Sequence, residues 1–336
     1  MKKLIIQIPC LNEAQTLPAT LADLPKSLVG VDAIEVLVID DGSRDGTSDV
    51  ARACGVDHIV RLRRNKGLAA AFAAGIDACL KAGADFIVNT DADNQYAADD
   101  IPKLLAPLLR GEADICIGDR NIAALQHMSW RKRQLQALGS WVVRQVSGTS
   151  VPDTTSGFRA YTREAALRMT IVSEFSYTLE SIIQAGKKRM AIAHVPISVN
   201  PRTRESRLFD SVFSYIKKSG ATIVRIYTMY EPLKVFTYLG LLLVAGGGAG
   251  VVRIVYFYFQ GQANKHVASL VASALLMIVG FLVLVLGLLA DLTAGNRKLL
   301  EDLIYRVRAL EAPPREPEPP ALTRSRATER VDRWEH

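Results

Sequence analysis

Two apolar stretches near the C-terminus constrain this chain more than any other feature. Val235–Phe259 reads VFTYLGLLLVAGGGAGVVRIVYFYF, and Val267–Ala290 reads VASLVASALLMIVGFLVLVLGLLA. As helices they would each span roughly 36–38 Å, against a hydrocarbon core of about 30 Å. The second carries no charge on any face, which is unlike a helix packed inside a soluble domain. Arg253, near the end of the first and beside Tyr256 and Tyr258, can snorkel to the interface. The short link Gln260–His266 makes the pair a hairpin in the lipid bilayer. Lys217, Lys218, Arg225 and Lys234 precede it and Arg297, Lys298, Arg306 and Arg308 follow it, whereas the link carries only Lys265. The positive-inside rule then predicts a two-pass protein of the inner or cytoplasmic membrane with both termini in the cytoplasm. Lys2–Pro9 is too short and lacks the cleavage site of a signal peptide.

The region from Met1 to about Val199 alternates short β-rich runs with helical stretches. Leu4–Ile8, Ile34–Ile39, His58–Arg61, Phe86–Asn89 and Asp114–Gly118 are near-continuous apolar runs, the pattern of strands buried on both faces. Thr16–Leu28, Thr47–Cys54, Leu68–Ala82 and Asp99–Leu109 read as the helices between them, Arg131–Val146 and Tyr177–Ala185 as later helices, and Ala191–Ser198 as a late strand. The pattern predicts an α/β fold with a mostly parallel central sheet, its ligands lying beyond the strand carboxyl ends. The expected organisation is a catalytic domain over 1–206, a juxtamembrane amphipathic helix over 207–234, spans over 235–259 and 267–290, a cytoplasmic helix over 291–312 and a disordered proline-rich tail over 313–336. Leu208–Tyr230 suits equally a helix on a membrane surface and one docked on the domain. The apolar spacing of Leu299, Leu300, Leu303, Val307 and Leu310 leaves homo-oligomer formation and surface docking both open. The scattered Cys10, Cys54, Cys79 and Cys116 exclude a zinc finger, suggest no disulfide framework and read as small buried residues.

Polar clusters follow the strands in phase. Pro9-Cys10-Leu11-Asn12-Glu13 follows the first, Asp40-Asp41-Gly42-Ser43 the second, Arg64-Asn65-Lys66-Gly67 the third and Asp91-Ala92-Asp93 the fourth. Each alone is an ordinary turn. Together they sit on the rim where an α/β sheet binds ligands. Asp91 and Asp93, two apart in a loop, can offer oxygens to one hard cation, Mg²⁺ or Mn²⁺, which fills its remaining positions with water and phosphate oxygens. There is no Gly-x4-Gly-Lys-Ser/Thr loop and no Gly-x-Gly-x-x-Gly after a strand, which disfavours P-loop NTPases and dinucleotide oxidoreductases. The net charge of +7 concentrates around the membrane segments, and no nucleic-acid motif accompanies it, so no nucleic acid is expected as partner.

The motifs Pro9–Glu13, Val38–Ser43 with Asp45-Gly46-Thr47, Asn65-Lys66-Gly67, Thr90–Asp93 and Ser156-Gly157-Phe158-Arg159 resemble the ordered motifs of family 2 glycosyltransferases. The similarity is to the polyprenyl-phosphate sugar transferase branch, the dolichol-phosphate-mannose-synthase-like enzymes, and runs from about Leu4 to Arg207. It implies a GT-A fold, a nucleotide-sugar donor (UDP- or GDP-sugar), a polyprenyl phosphate acceptor, a bound Mg²⁺ or Mn²⁺ and inversion at the anomeric carbon. Position by position, it implies that Pro9, Asn12 and Glu13 line the nucleotide pocket with Lys66 and Gly67, that Asp40 meets base or ribose, and that Asp41 supports the loop. It places Asp91 near the diphosphate and Asp93 on the metal, with Gln95 matching a glutamine that follows this motif in the branch. Arg120, Arg133 and Arg159 match basic positions that meet the lipid phosphate or diphosphate. Arg202-Thr203-Arg204-Glu205-Ser206-Arg207 stands where the branch carries Arg-x-x-Gly-x-Ser-Lys, with Glu205 at the glycine's offset.

A phosphate acceptor also fits the lack of an obvious general base, because a phosphate monoester already carries about −1.5 to −2 charge at pH 7. Arg202, Arg204 and Arg207 suit its recognition through their planar donor forks. General attraction to acidic lipid is an equal reading, worth about 1 kcal/mol per charge. Transfer to a lipid or glycan hydroxyl, and a non-catalytic nucleotide-sugar-binding scaffold on the membrane, are the alternatives. A processive synthase is disfavoured by the absence of Gln-x-x-Arg-Trp.

Overall fold

The computed structural model describes residues 1–121, 130–173, 177–200, 212–261 and 266–314. Seven strands, β1 (Lys3–Cys10), β2 (Ala33–Asp40), β3 (His58–Arg61), β4 (Phe86–Asn89), β5 (Ile115–Asp119), β6 (Arg159–Thr162) and β7 (Ile192–Pro196), form one sheet in the order β3-β2-β1-β4-β6-β5-β7. Every strand runs parallel except β6, which lies antiparallel between β4 and β5. The central β1 is buried from Leu4 to Cys10, and its side chains divide between the two faces as a pleat requires. Ile5, Leu37, Ile39, Ile87 and Ile117 face a cluster containing Phe72, Ile76, Ala165 and Ile182; Leu4, Ile6, Ile8, Val38 and Val88 face one containing Leu17, Leu104 and Leu108.

The covering helices are α1 (Leu17–Asp23), α2 (Thr47–Ala53), α3 (Leu68–Lys81), α4 (Ile101–Leu109), α5 (Trp130–Ser147), α6 (Arg163–Arg168) and α7 (Tyr177–Lys187). α1 is shorter than its apolar pattern, because Pro25 biases Leu24 into the extended conformation it adopts at ψ 141°. β6 and α6 have no counterpart in the sequence reading. β6 is four residues long and opens on an arginine, so its burial is invisible to an apolar-run criterion.

Three helices complete the chain: α8 (Val212–Tyr230), α9 (Pro232–Phe259) and α10 (Val267–Glu311). α8 docks on the domain, with Ile223 and Ile226 joining the α3–α7 core cluster. α9 and α10 carry windows of mean hydropathy 1.9 and 2.8 and pack as an antiparallel hairpin, long and apolar enough to cross a membrane. Their contact line is made of small residues. A Cβ on Gly240 would lie 3.0 Å from the Gly280 carbonyl, and one on Gly247 would lie 2.7 Å from that of Ser273. Such close approach is how apolar helices associate where no hydrophobic force separates them from lipid.

The segments read as 267–290 and 291–312 are continuous in the structure. α10 runs on as one helix to Glu311, and its last half lies along the catalytic domain. Glu301 pairs with Lys188 at 3.0 Å and Arg297 at 2.8 Å. Arg308 pairs with Asp77 at 2.9 Å and donates to the Met169 carbonyl at 2.6 Å. Arg163 donates to the carbonyl of Pro313 at 2.6 Å, just beyond the helix. The expected disordered tail lies, from residue 315 onward, outside the described residues.

Candidate active site

Cys10 pairs with Asp40 and Gln7 with Asn89, so the loops after β1, β2 and β4 leave the sheet on one rim. Hydrogen bonds stitch the first two loops together. Asn12, at φ 55°, donates its N–H to Ser43 Oγ at 2.9 Å and accepts the Arg44 N–H on Oδ1 at 2.9 Å. Asparagine is among the few residues that adopt this left-handed conformation readily. Glu13, just after buried Pro9 and Cys10, donates its N–H to Thr47 Oγ1 at 3.0 Å, and its carboxylate accepts the Thr16 hydroxyl at 2.7 Å.

Asp40 is 1% exposed and accepts the Ser43 N–H at 2.7 Å and the Ser48 hydroxyl. Burial pushes its pKa up, but these bonds outweigh it and hold the carboxyl below its ordinary value. Each oxygen accepts one of these bonds, so Asp40 braces the turn. Asp41 accepts the N–H groups of Lys66 and Gly67 at 2.7 and 2.8 Å, tying the third loop to the second. Gly42 makes that approach possible: its φ is 75°, and a Cβ would lie 2.6 Å from the Arg64 and Asn65 backbone. The Lys66 side chain is exposed at this mouth, ahead of Gly67, which caps α3.

Asp91 and Asp93 follow β4 and are half-buried. Asp93 accepts the Gln95 N–H on Oδ1 at 3.2 Å. The loop is fastened from two sides. Thr20 donates to the Ala92 carbonyl at 2.9 Å, and Asn94 to Asp23 at 2.7 Å. Asn200 donates its N–H to the Gln95 carbonyl at 2.8 Å and its Nδ2 to that of Asn94 at 3.0 Å, while Tyr96 bridges Val199.

Beneath this loop lies a buried polar network. Gln7 donates to Asn89 Oδ1 at 2.9 Å, and Asn89 Nδ2 donates to the Gly157 carbonyl at 2.8 Å and to the Tyr177 hydroxyl at 2.9 Å. The Gly157 N–H donates to Tyr96 Oη at 3.0 Å. Tyr96 stacks on Phe158 at 5.0 Å and Tyr177 on Phe72 at 4.0 Å. Burial, reinforced by the charge of Asp91, pushes the Tyr96 hydroxyl up to about 12 and that of Tyr177 well up too, so both stay neutral. The sequence reading missed this network. Its signal was present, because Gln7 and Asn89 are the polar residues of two otherwise apolar strands and lie opposite each other.

The basic residues divide. Arg120, just after β5, forms a bidentate pair with Asp153 at 2.7 and 3.0 Å and donates to Thr155 Oγ1 at 2.8 Å. Burial pushes the 1%-exposed Asp153 up, and Arg120 pulls it below its ordinary value. The negative charges of Asp153 and Asp91 reinforce the positive charge of Arg120. Arg159 is 0% exposed and makes four hydrogen bonds, to the carbonyls of Ser156, Thr178 and Thr154 and to Ser181 Oγ. That corrects the expected phosphate contact: its guanidinium is consumed in holding the 154–157 loop against α7. Arg133 lies on α5 with its side chain outside the described set, and Arg202, Arg204 and Arg207 lie outside the described residues. Glu180 is 0% exposed and accepts the Val172 and Ser173 N–H groups, so it faces neither solvent nor the rim. Cys54 is exposed, unlike the other three cysteines.

Among the described residues no group of three or more His, Cys, Asp or Glu side chains could enclose a metal ion. The residues do fit a partly open site. A Cβ on Gly157 would lie 3.3 and 3.4 Å from the two Asp91 carboxylate oxygens, so glycine leaves a cradle beside that carboxylate. Two half-buried carboxylates on one rim loop suit a hard cation that takes its other ligands from water and phosphate.

Residues 5–169 match Glycosyl transferase family 2. An uncharacterised glycosyltransferase of Mycobacterium tuberculosis is 34% identical over 199 residues, 59% of this chain and 85% of that protein. The chain belongs to glycosyl transferase family 2. Glycosyltransferase AglJ of Haloferax volcanii is 28% identical over 313 residues, 91% of this chain and 97% of that one. Polyprenol monophosphomannose synthase of Mycolicibacterium smegmatis is 27% identical over 212 residues, 60% and 78% of the two chains. Undecaprenyl-phosphate mannosyltransferase of Micrococcus luteus is 28% identical over 216 residues, 61% and 87% of the two chains. Among solved structures, glucosyl-3-phosphoglycerate synthase of Mycobacterium tuberculosis, in complex with Mn²⁺, UDP-glucose and phosphoglyceric acid, superposes with a TM-score of 0.54 at 20% identity, covering 68% of this chain and 79% of its own. The family 2 fold is thus GT-A.

Proposed function

We propose that this glycosyltransferase moves a sugar from a UDP- or GDP-sugar to polyprenyl phosphate at the cytoplasmic face of the membrane, with inversion. One observation carries the reading. The Asp91–Gln95 loop is bonded to Val199–Asn200, two residues before the Arg202–Arg207 cluster that leads into the apolar hairpin. That continuity along the chain supports a donor site close to an acceptor held at the membrane.

In this reading Asn12, Glu13 and the Asp40-braced turn shape the nucleotide pocket, and Lys66 and Gly67 face the diphosphate. Asp93 and Asp91 hold Mg²⁺ or Mn²⁺. When bound, that ion supplies positive charge against the developing diphosphate. Arg120, held in place by Asp153, adds charge on the same side. A phosphate oxygen of the acceptor, oriented by Arg202, Arg204 and Arg207, forms the new bond to the anomeric carbon as the bond to the nucleoside diphosphate breaks on the opposite face. The acceptor arrives already ionised, so no side chain has to take a proton.

The test is incubation of the purified chain with polyprenyl phosphate, a panel of nucleotide sugars and Mn²⁺ or Mg²⁺, with mass spectrometry of the lipid fraction. A glycosylated polyprenyl phosphate is expected. Transfer only to a hydroxyl acceptor, or donor binding without turnover, would refute the proposal.

A further inference from the structure

α10 turns different faces to different surroundings. Within the hairpin Ser273, Gly280 and Gly287 pack on α9. Farther along, Arg297, Glu301, Tyr305 and Arg308 bond to α6, α7 and their neighbours. Next to that docked face, and beyond the uncharged stretch that ends at Ala290, stand Leu292, Leu299, Leu300, Leu303, Val307 and Leu310. They are exposed by 70, 71, 59, 56, 45 and 86%. Together they present on the order of 600 Å² of apolar surface to water, at the upper end for a monomer's largest patch and close to the roughly 800 Å² per partner of a standard interface.

Their order is that of a seam. Leu292, Asn296, Leu299, Leu303, Arg306 and Leu310 succeed one another at alternating steps of about four and three residues, the heptad rhythm. The rhythm continues without a break from Ile278, Leu282, Val285 and Leu289 in the apolar segment, all of them exposed. Asn296 is the polar residue that in a coiled-coil core sets register and partner number. Arg306 bonds to Asp302 of its own helix at 2.9 Å, leaving its stem to lie along the seam.

We propose that this face is covered by α10 of a second copy of the chain, in a parallel pair. Copies inserted in one bilayer share an orientation, so identical seams meet side by side and in register about an axis normal to the membrane. The bilayer itself does not suit the aqueous half. α10 is one helix, and its part after Ala290 extends roughly 30 Å at 1.5 Å per residue.

The experiment uses the full chain in lipid nanodiscs on a Cys54→Ser background, because Cys54 is the exposed thiol and the other three are buried. Leu303→Cys should cross-link to a dimer on mild oxidation, while Lys298→Cys, on another face, should not. Mass photometry should count two copies per disc, and Leu299→Glu with Leu303→Glu should weaken association at least tenfold without shifting the thermal unfolding midpoint. Single copies and no Leu303→Cys cross-link in the parent would overturn the proposal. So would quenching of a fluorophore at Leu303→Cys by brominated lipid, which would assign the face to the bilayer.

Discussion

Gly157→Ala tests whether the floor of the site controls Asp91, a carboxylate proposed to hold the metal. The Gly157 φ lies outside the left-handed region, so alanine adds no backbone strain, and the effect is one of space alone. The new Cβ would lie 2.9 Å from Tyr177 Oη and 3.3 and 3.4 Å from the Asp91 oxygens. Tyr177 cannot recoil easily, because it stacks on Phe72 at 4.0 Å and is bonded to Asn89 at 2.9 Å. The Tyr177 contact is the one that must open, so the Gly157 backbone is pushed away from it, and Asp91, in tight contact on a half-buried loop, should shift with that backbone by a few tenths of an ångström. Overpacking of this kind costs about 1–3 kcal/mol. At about 1.4 kcal/mol per factor of ten, a cost expressed in metal affinity is roughly a 5- to 150-fold loss. The assay is turnover against Mn²⁺ concentration, together with Mn²⁺-dependent UDP binding by calorimetry. The metal concentration for half-activity should rise by that factor while saturating Mn²⁺ restores much of the rate. An unchanged Mn²⁺ dependence in a folded variant would refute the assigned coupling between Gly157 and Asp91.

Asp41→Asn removes the charge that accepts the Lys66 and Gly67 N–H groups; with charge-assisted bonds worth about 1.5–3 kcal/mol, KM for the donor should rise roughly tenfold or more while acceptor KM holds. Arg159→Met removes four buried hydrogen bonds, among them those to the Ser156 and Thr154 carbonyls, and should lower stability by about 3 kcal/mol or more, read as a fall in the thermal midpoint. Asp40 and Asp153 are both held below the ordinary 3.8, so the stability they give is complete above about pH 4 and lost as pH falls through their folded values. Thermal midpoints should therefore drop in acid, and Asp153→Asn, already less stable at neutral pH, should show a shallower drop. Glu301→Lys places like charges beside Lys188 and Arg297 and should reduce turnover of membrane-embedded acceptor several-fold with UDP binding intact, while Lys188→Glu in the same chain should recover part of it.

How much was legible follows from what kind of signal each element leaves. β1 and β4 are apolar runs buried on both faces, and the hairpin is uncharged over its second segment, so period and length suffice for them. The rim loops were legible because Gly, Asp and Asn concentrate where backbone must turn, as at Gly42 and Asn12. Arg159 took its expected phosphate contact from the resemblance of the Ser156–Arg159 motif, which carries no information on burial. Its burial depends on Ser156, Thr178 and Ser181 gathering around it, a contact between β6 and α7 that no local pattern encodes. The bracing role of Asp40 was equally invisible, because an acidic residue in a turn can serve the turn, a ligand or both, and the Ser43 and Ser48 bonds appear only in the folded chain.

The antiparallel strand β6 explains why the site needed the structure at all. Asn89 and Gly157 are 68 residues apart, yet β6 pairs with β4 so that Asn89 faces Arg159, and the Gly157 carbonyl falls beside the Asn89 amide. Were β6 parallel, its preceding loop would open at the far end of the sheet, and Gly157, Phe158 and Asp153 would be lost from the rim. Reversal of one strand thus brings the Arg120–Asp153 pair and the Tyr96–Phe158 stack beneath the Asp91 loop. The same loop is bonded on its other side to Asn200, from which the chain continues toward the membrane helices. A shift of the 199–200 segment therefore has a direct mechanical route to Gln95 and Asp93, and under the proposed function a polyprenyl phosphate should change UDP affinity, read by calorimetry with and without the lipid.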